Sequence, residues 1–210
     1  MRNPWLDIPE VDYVGHMSSP TVNQRPVLSR LMGDALESVR PRTLLVLGCS
    51  TGNGLEHVNP AVTSRVTVVD LNPGYLLRLG ERFPNPGFEL DVRCADLAGV
   101  MLDPEAFDLV HAGLVLEYIE WPLLLPRVAS TLKPGGVLSV VLPLPSASSP
   151  AVTPTTFVSL RSLESLFHFV EPRALVEAAR GEGLRLSNRR TESLAAGKAF
   201  EVLRFVKHAV

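Results

Sequence analysis

The feature that most constrains this chain is the run LLVLGCSTGNG at residues 44–54, where an apolar stretch gives way abruptly to small residues. A continuously apolar stretch is typical of a parallel strand that is buried on both faces. Gly48, Gly52 and Gly54 follow at once, and glycines permit a positive φ and a close approach of the backbone to another group. Ser50 stands between them, where a further glycine of a ligand-binding loop is expected. The run therefore predicts a strand followed by a loop that cradles a ligand.

Strand and helix signals alternate after this run. Apolar segments rich in β-branched residues predict five strands, at 43–49, 64–72, 87–97, 107–115 and 136–144. Helical patterns at 72–83 and 121–132 lie between them. The connection from 54 to 65 leaves room for about two turns of helix, whose N-terminus would offer free N–H groups to a ligand. This rhythm predicts right-handed crossovers and a parallel sheet.

The segments on both sides of this core carry further signals. Residues 20–39 place apolar side chains at helical spacing, and residues 163–183 predict a helix that ends at glycine. The tail from 184 to 208 predicts two strands that form an antiparallel hairpin. Residues 144–156, rich in Pro, Ser and Thr, predict a loop over the carboxyl edge of the sheet. With no repeat and no visible boundary, we expect a single domain.

The composition argues against several classes of protein and partner. Lys and Arg number 20 against 22 Asp and Glu among 210 residues, and the net charge of −2 argues against a nucleic-acid or membrane partner. Cys49 and Cys94 are the two cysteines, and neither they nor the histidines show metal-ligand spacing, so we expect no disulfide framework and no metal. The longest apolar tract is far below the ~20 residues that span a bilayer, and the N-terminus lacks an apolar signal region. We expect a cytoplasmic protein.

Three kinds of nucleotide-binding loop compete for the glycine-rich segment. The phosphate loop GxxxxGK[ST] does not match, because no lysine follows the glycines. The dinucleotide loop GxGxxG fails in both registers, since Ser50 or His57 occupies a required glycine position. The spacing G-x-small-x-G does match, at Gly48, Ser50 and Gly52. Asp70 ends the second predicted strand, where a carboxylate can accept hydrogen bonds from ribose hydroxyls, although such an aspartate alone equally suits a cap or a turn.

Five segments between residues 43 and 145 together carry a family resemblance: LLVLGCSTGNGLEHV, VTVVDLNPGYL, CADL, FDLVHAGLVLEYI and LPRVASTLKPGGVLSVVLP. In their order and spacing they resemble the motifs of class I S-adenosylmethionine-dependent methyltransferases. The resemblance implies a three-layer α/β/α sandwich with a Rossmann-like, seven-stranded and mostly parallel sheet whose last strand is antiparallel. It also implies S-adenosyl-L-methionine as cofactor, and an N-terminal lid or helical segment at 1–42 before a methyltransferase domain at 43–210.

The same resemblance assigns cofactor contacts to particular residues. The loop would lie against the methionine portion of the cofactor through Gly48, Cys49, Ser50, Thr51, Gly52 and Asn53. Asp70 would hold the ribose, and Leu71 would pack on the adenine. Asp96 would accept a hydrogen bond from the adenine amino group, with Leu97 beside it. The exit of the fourth strand, from His111 to Leu114, would face the cofactor and the substrate.

Two departures from the family pattern bear on catalysis. Val46 stands where the family often has an acidic residue that helps to hold the amino group of the cofactor. Ser50 replaces a glycine, at a cost on the order of 1 kcal/mol if the position requires a positive φ. Both departures leave open a non-catalytic protein that binds the cofactor on the same fold.

Four residues are candidates for catalysis. Methyl transfer from a sulfonium depends mainly on alignment, and a base is needed only when the acceptor must lose a proton. His111 at the end of the fourth strand is the first candidate, although a histidine satisfied by backbone partners is an equal alternative. Glu117 follows it and either lines the pocket or forms a cap. Tyr13 and His16 reach the site if the N-terminal segment covers it, and the alternative is a disordered lead-in.

The sequence therefore predicts a S-adenosylmethionine-dependent methyltransferase that acts on a small molecule. The alternatives are the non-catalytic binding protein and, from a different enzyme class, a NAD(P)-dependent oxidoreductase, which the failed dinucleotide spacing disfavours. The acceptor, its reacting atom and the oligomeric state are not specified by the sequence.

Overall fold

The computed structural model describes residues 3–146, 155–194 and 197–208. Within these residues the strands are β1 (Thr43–Leu47), β2 (Arg65–Asp70), β3 (Glu89–Cys94), β4 (Phe107–Gly113), β5 (Leu132–Pro143), β6 (Leu184–Ser193) and β7 (Ala199–Lys207). The α-helices are α1 (Glu10–Ser18), α2 (Gln24–Val39), α3 (Pro73–Arg82), α4 (Trp121–Thr131) and α5 (Pro172–Gly181). Short 3₁₀ turns cover Pro4–Asp7, Leu55–His57, Leu116–Tyr118 and Val158–Ser165.

The described strands form one sheet in the order β3-β2-β1-β4-β5-β7-β6. The first five strands pair in parallel, and β7 lies antiparallel to both β5 and β6. The predicted seven-stranded, mostly parallel sheet is confirmed. The strand order reverses between β1 and β4, and ligands of open α/β sheets bind outside the carboxyl ends of the strands at such a point. The topology therefore positions a ligand site at the end of β1, where the glycine loop lies.

Side chains alternate along the strands and fill an apolar layer on each face of the sheet. The layer under α4 and α5 contains, among others, Leu45, Leu47, Val110, Leu124, Val128, Leu138, Leu175 and Ala179. The opposite layer, under α2 and α3, contains Met32, Leu36, Leu44, Val46, Val66, Val68, Leu76, Leu79 and Leu109. Burial of these side chains is the main favourable term in folding. The predicted three-layer sandwich is thereby confirmed.

The segment after the glycine loop differs from the prediction. In place of about two turns of helix, residues 54–64 contain only the 3₁₀ turn Leu55–His57. These residues must carry the chain back along the whole length of β1 to the start of β2. An α-helix advances only about 1.5 Å per residue, so a more extended path is favoured over this distance. Helix α2 covers this region instead, and Met32 Sδ would lie 2.6 Å from a Cβ at Gly54. The positive end of a helix dipole is therefore not supplied directly after the loop.

The predicted helix at 163–183 is also wrong in its first half. Only Pro172–Gly181 is α-helical, and the 3₁₀ turn Val158–Ser165 precedes it. Proline disfavours helical backbone in the residue before it, and Glu171 is extended, with φ −72° and ψ 118°. Its carboxylate caps α5 by accepting the N–H of Ala174. The predicted loop at 144–156 lies largely outside the described residues.

The N-terminal segment packs against the carboxyl edge of the sheet. The side-chain amide of Asn72, just after β2, donates hydrogen bonds to the carbonyls of Trp5 at 2.8 Å and Ile8 at 3.1 Å. Ile8 is buried in a cluster with Tyr75 and Leu160. Residues 3–18 are thus held next to the switch point. The division into a lid at 1–42 and a domain from 43 stays a prediction.

Candidate functional site

A cleft, here called the Asp70 cavity, opens at the carboxyl ends of the first four strands. Together with the open space at its mouth, it spans about 640 Å³. The residues that were predicted to bind the cofactor and that line it are Gly48, Ser50, Asp70, Leu71, Asp96, Leu97 and Leu114. Its aromatic walls are Trp5, Tyr13, Tyr75 and Tyr118. The structure therefore brings the motif residues of four strands to one cleft.

Asp70 is the central carboxylate of this cleft. One oxygen accepts the backbone N–H of Ser50 at 2.7 Å, and the other accepts the backbone N–H of Asn72 at 2.9 Å. Desolvation raises the pKa of Asp70, while these N–H groups and that of Leu71 lower it. Each carboxylate oxygen has two lone pairs, so both oxygens keep a position for another donor. Asp96 is more open to solvent, and its carboxylate accepts the N–H of Ala98 at 2.8 Å.

Gly48 provides a floor that tolerates no side chain. Its φ is +67°, and a Cβ at this position would lie 2.7 Å from Val115 Cγ2. A contact below 3 Å requires the neighbour to move, and the positive φ strains any residue other than glycine. Val115 therefore packs closely on the backbone of Gly48, and the approach of this loop to a ligand stays a prediction.

Ser50 and Leu114 occupy strained backbone conformations on facing walls of the cleft. Their φ angles are +47° and +53°, and such conformations cost about 1–2 kcal/mol for residues other than glycine. Ser50 Oγ is also buried without a hydrogen-bond partner among the described residues. Strain and an unsatisfied buried polar atom concentrate at functional sites.

A second cavity, here called the loop cavity, lies along the glycine loop and encloses about 520 Å³. The residues that were predicted to contact the cofactor and that line this cavity are Gly48, Cys49, Ser50, Thr51, Asn53 and His111. Arg25 and Val46 line it as well. Gly52 lies outside the described lining of both cavities, and a Cβ there would meet Phe83 at 2.9 Å. The glycine is needed at position 52 because of core packing and its φ of +77°.

A third cavity, here called the Glu117 cavity, encloses about 590 Å³ on the other side of Tyr13 and Leu114. It shares Trp5, Tyr13, Leu114 and Tyr118 with the Asp70 cavity. Its remaining lining residues are His16, Met17, Gln24, Glu117, Pro143, Leu160, Leu163, Phe167 and Lys198. Three of the four predicted catalytic residues therefore line this one cavity.

Glu117 is a buried carboxyl group with little solvation. The residue is 1% exposed, and its Oε2 has no hydrogen-bond partner among the described residues. Burial raises its pKa from 4.5 to about 8. The carboxyl group is therefore mostly protonated at neutral pH, in a position where it can bind or release a proton.

His16 and Lys198 form the cationic part of the same cavity. Burial lowers the pKa of His16, and the charge of Lys198 lowers it further. Burial also lowers the pKa of Lys198 from its usual 10.5. The imidazole of His16 is therefore neutral at pH 7.

Tyr13 lies where all three cavities meet. Its ring stacks on Tyr75 with centroids 5.5 Å apart and meets Trp5 edge-on at 5.7 Å. Desolvation, followed by the negative charges of Asp70 and Glu117, raises the pKa of Tyr13 well above its usual range. Its hydroxyl therefore stays protonated and acts as a hydrogen-bond donor.

His111 shares the loop cavity with Tyr13 but lines none of the three described cavities together with His16 or Glu117. It pairs in register with Val46 and Ser139, and its Nδ1 lies 3.3 Å from Ser139 Oγ. Burial, with a smaller effect of Arg204, lowers its pKa to about 4. The imidazole is neutral at pH 7 and lines the loop cavity, whereas Glu117 lines the cavity on the far side of Tyr13.

Several lining residues escaped the sequence analysis because no motif marks them. Trp5 and Lys198 come from opposite ends of the chain, and only the fold brings them to one cavity. Arg25 lies on α2, where a single arginine gives no signal for a ligand. Tyr118 directly follows Glu117, and this position next to a predicted catalytic residue is the sequence signal that points to it.

The described residues contain neither a candidate metal centre nor a membrane-spanning helix. Across 3–146, 155–194 and 197–208, no group of three or more His, Cys, Asp or Glu side chains can hold a metal ion. In the same ranges, no helix has the length and apolarity required to cross a membrane. Cys49 and Cys94 are both unpaired.

Comparison with known proteins identifies the segment that carries the motifs. Residues 45–140 match the family model for a methyltransferase domain. Trans-aconitate 2-methyltransferase of Variovorax paradoxus is 34% identical over 99 residues, which is 46% of this chain and 37% of that protein. The matches to the curated relatives span only 37% to 44% of those proteins, less than half of their length.

Solved structures share the fold over most of the chain. The N-methyltransferase NodS of Bradyrhizobium japonicum, solved with S-adenosylhomocysteine, has a TM-score of 0.69 at 19% identity and covers 98% of this chain and 99% of its own. The [4+2]-cyclase SpnF has a TM-score of 0.67 at 16% identity, with coverage of 87% and 82%. At these identities the likeness establishes the fold alone, and since a cyclase shares it, the activity needs its own argument.

Proposed function

Residues 45–140 of this chain belong to the class I S-adenosylmethionine-dependent methyltransferase family, and on that premise we propose that the protein binds S-adenosylmethionine and transfers its methyl group to a small molecule. The observation that carries the proposal is the carboxylate of Asp70, bonded to Ser50 over a floor at Gly48 that has no room for a side chain. This geometry leaves an open cleft in front of a carboxylate with free lone pairs.

The described residues fit an adenosyl ligand in the Asp70 cavity. Asp70 is positioned to accept the ribose hydroxyls, and Asp96 lines the same cleft with a carboxylate suited to the adenine amino group. Leu71 and Leu97 supply apolar surface for the flat base. The unpartnered Oγ of Ser50 gains a hydrogen-bond partner when a polar ligand enters, which offsets the cost of its burial.

The loop cavity fits the amino-acid end of the same ligand. Arg25 is the cation there and suits the carboxylate of a methionine group. The side-chain amide of Asn53 donates to the backbone carbonyl of Arg25 at 3.0 Å and so ties α2 to the loop. Val46 cannot bind the amino group, so backbone carbonyls of the loop are left for that role. The departure at position 46 therefore weakens this end of the site without removing it.

Bound S-adenosylmethionine would supply an activated methyl group on a sulfonium. The chain's own part is to align the acceptor and to exclude water, and alignment alone can contribute roughly 7–11 kcal/mol. Tyr13 stands between the cofactor cavities and the Glu117 cavity, so its hydroxyl is placed to orient the acceptor. Glu117 is the candidate proton acceptor, because a group with a pKa of about 8 is matched to transfer near neutral pH. His111, which faces the loop cavity, remains the alternative base.

The acceptor is proposed to be a small molecule because the third cavity is a concave cleft with mainly apolar and aromatic lining and few polar side chains. The relatives named for trans-aconitate methylation favour this reading. We also propose a cytoplasmic location, in keeping with two unpaired cysteines. Neither a metal nor a nucleic acid is part of the proposal.

Thermal melting with S-adenosylhomocysteine, S-adenosylmethionine and NAD tests the cofactor. A selective rise in melting temperature with the first two is expected, and a rise with NAD alone would contradict the proposal. Transfer of label from methyl-labelled S-adenosylmethionine to a metabolite extract then tests turnover. Cofactor binding without any transfer would support the non-catalytic alternative.

A further inference from the structure

The turn that follows β3 closes on Asp96, a residue that lines the Asp70 cavity. The backbone carbonyl of Asp96 accepts the N–H of Gly99 at 3.0 Å and that of Val100 at 2.8 Å. Its carboxylate accepts the backbone N–H of Ala98 through Oδ1, also at 2.8 Å. No hydrogen bond within the described residues involves Oδ2, so this oxygen is left for a ligand. The direction of the carboxylate therefore depends on the peptide group that carries the N–H of Ala98.

Arg127 on α4 holds the opposite side of the same turn. Its guanidinium donates through Nη1 to the carbonyls of Leu97 at 3.0 Å and Ala98 at 2.8 Å. Through Nη2 it donates to the carbonyl of Val100. Arginine presents its donors in a rigid fork, and hydrogen bonds from a charged donor are stronger than those between neutral groups. A single half-buried side chain thus binds three carbonyls of one turn.

Two peptide groups connect Arg127 to Asp96. A trans peptide group is planar, and its C=O and N–H point in opposite directions. The group between residues 97 and 98 accepts Arg127 at its carbonyl and donates its N–H to the Asp96 carboxylate. The group between residues 98 and 99 accepts Arg127 at its carbonyl and donates its N–H to the Asp96 carbonyl. Because rotation of either group would break a hydrogen bond at both of its ends, Arg127 fixes the direction of the Asp96 carboxylate.

We propose that Arg127 is a positioning residue for base recognition, which holds the Asp96 carboxylate where its Oδ2 accepts the amino group of adenine. This inference rests on the proposed function and adds a residue that no sequence motif marks. Arg127 lies outside the described lining of the Asp70 cavity, so it acts through Asp96 and not by contact with the ligand. A base with an oxo group in place of the amino group would bring an acceptor against the fixed carboxylate, and two acceptors cannot share a hydrogen bond. The fixed carboxylate therefore selects adenine.

Isothermal titration of the full chain with S-adenosylhomocysteine and with S-inosylhomocysteine tests the inference. The two ligands differ only in the base, where an oxo group replaces the amino group. The wild type should bind S-adenosylhomocysteine about tenfold more tightly, since a charged acceptor loses its donor in the other complex. Asp96→Asn should reverse this preference, because its side-chain amide can donate to the oxo group. A wild type that does not discriminate, or an unchanged preference in Asp96→Asn, would overturn the inference.

Variants of Arg127 distinguish positioning from a purely structural contact. Arg127→Met removes the three hydrogen bonds and keeps an unbranched side chain. Its affinity for S-adenosylhomocysteine should fall about fivefold to tenfold, while its affinity for S-inosylhomocysteine stays nearly constant, so that the preference disappears. Arg127→Lys retains a charged donor and should recover most of the preference. Arg173→Met, at an exposed position on α5, is the matched control and should keep the whole preference.

The outcomes separate this inference from the proposed function. A preference that survives in Arg127→Met, or an equal loss of affinity for both ligands, would overturn the inference, since either result indicates a structural contact only. Circular dichroism checks that the variant is folded, and if Arg127→Met is not, Arg127→Gln carries the same expectation with a smaller change in polarity. Failure of the wild type to bind either ligand is the failure of the proposed function, and it would overturn this inference before any variant is measured.

Discussion

The carboxylate of Asp70 accepts the backbone N–H of Ser50 at 2.7 Å, and this bond joins the end of β2 to the turn that follows β1. The second carboxylate oxygen accepts the backbone N–H of Asn72. The side-chain amide of Asn72 in turn donates to the carbonyls of Trp5 and Ile8. The proposed ribose site, the glycine loop and the N-terminal segment are therefore connected through two side chains, Asp70 and Asn72, of which Asp70 lies at the centre. Ligand binding and local stability should change together when Asp70 is altered.

Asp70→Asn should weaken binding of S-adenosylhomocysteine at least tenfold. The amide keeps the shape but has one acceptor oxygen, so either a backbone N–H or a ribose hydroxyl loses its partner. Loss of a hydrogen bond to a charged group costs about 1.5–3 kcal/mol. Isothermal titration measures the change, and Asp91→Asn on β3 is the matched control. Unchanged affinity in Asp70→Asn would remove the ribose role.

Ser50→Gly should separate backbone strain from ligand contact. Relief of the positive φ of 47° should raise the free energy of unfolding by about 1 kcal/mol, while loss of Oγ should weaken binding of S-adenosylhomocysteine. Glu105→Gly relieves a similar φ of 49° on the surface and should raise stability without affecting binding. Chemical denaturation and calorimetric titration give the two readouts. Tighter binding by Ser50→Gly would contradict a role for the hydroxyl.

Gly48→Ala should be more destabilising than strain alone explains. The alanine Cβ would lie 2.7 Å from Val115, at a φ of +67°. Gly135→Ala has a similar φ of +76°, but no atom lies within 4 Å of its Cβ. The difference between the two variants in denaturant unfolding isolates the steric clash, for which we expect about 1–3 kcal/mol. Equal losses of stability in the two variants would show that there is room for a side chain at position 48.

Glu117 should make the folded chain less stable as the pH rises through neutrality. Between pH 4.5 and about 8 the folded state keeps a proton that the unfolded state has released, so the free energy of unfolding falls. His111 has the opposite effect between about pH 4 and 6.5, because its pKa is lowered. Between pH 6.5 and 8, the change in the free energy of unfolding therefore reports the titration of Glu117 without that of His111.

Denaturant unfolding across that window checks this sign. Glu117→Gln should flatten the fall in stability, whereas Glu164→Gln, at an exposed position, should keep the wild-type slope. A wild-type profile that is level or rises from pH 6.5 to 8 would show that Glu117 is ionised in the folded protein.

Asn72→Ser should loosen the N-terminal segment while keeping the cap of α3. Serine caps helices well, so the N–H of Gly74 keeps an acceptor. The shorter side chain cannot donate to Trp5 and Ile8 as the amide does. Hydrogen exchange should become faster in residues 3–18 and stay nearly constant in α3. Equal exchange rates in the variant and the wild type would show that packing alone holds the segment.

Much of the fold was readable from the sequence because buried parallel strands leave strong apolar runs. β1, β2 and β4 fall within the predicted segments, and the glycines mark the switch point. The missing helix after the loop could not be read, since its place is taken by α2 from an earlier part of the chain. Pro172 did carry a readable signal, because a residue before proline rarely continues a helix.

The residues of the candidate site also fall into two groups, those that a sequence motif marks and those that only the fold brings together. Asp70, Leu71, Asp96 and Leu97 belong to motifs at strand ends, and they line one cleft, while their contacts with the cofactor stay predictions. The Glu117 cavity is assembled from side chains distant along the sequence, from Trp5 to Lys198, and such contacts exist only after folding. Local pattern therefore predicts the cofactor side of the site and leaves the acceptor side unspecified.

The decisive experiment is a crystal structure of the chain with S-adenosylhomocysteine. We expect both ribose hydroxyls within hydrogen-bond distance of Asp70, the adenine between Leu71 and Leu97, and the amino-acid end along the loop cavity. A ligand bound away from the Asp70 cavity, or a ribose that makes no contact with Asp70, would contradict the proposed cofactor site.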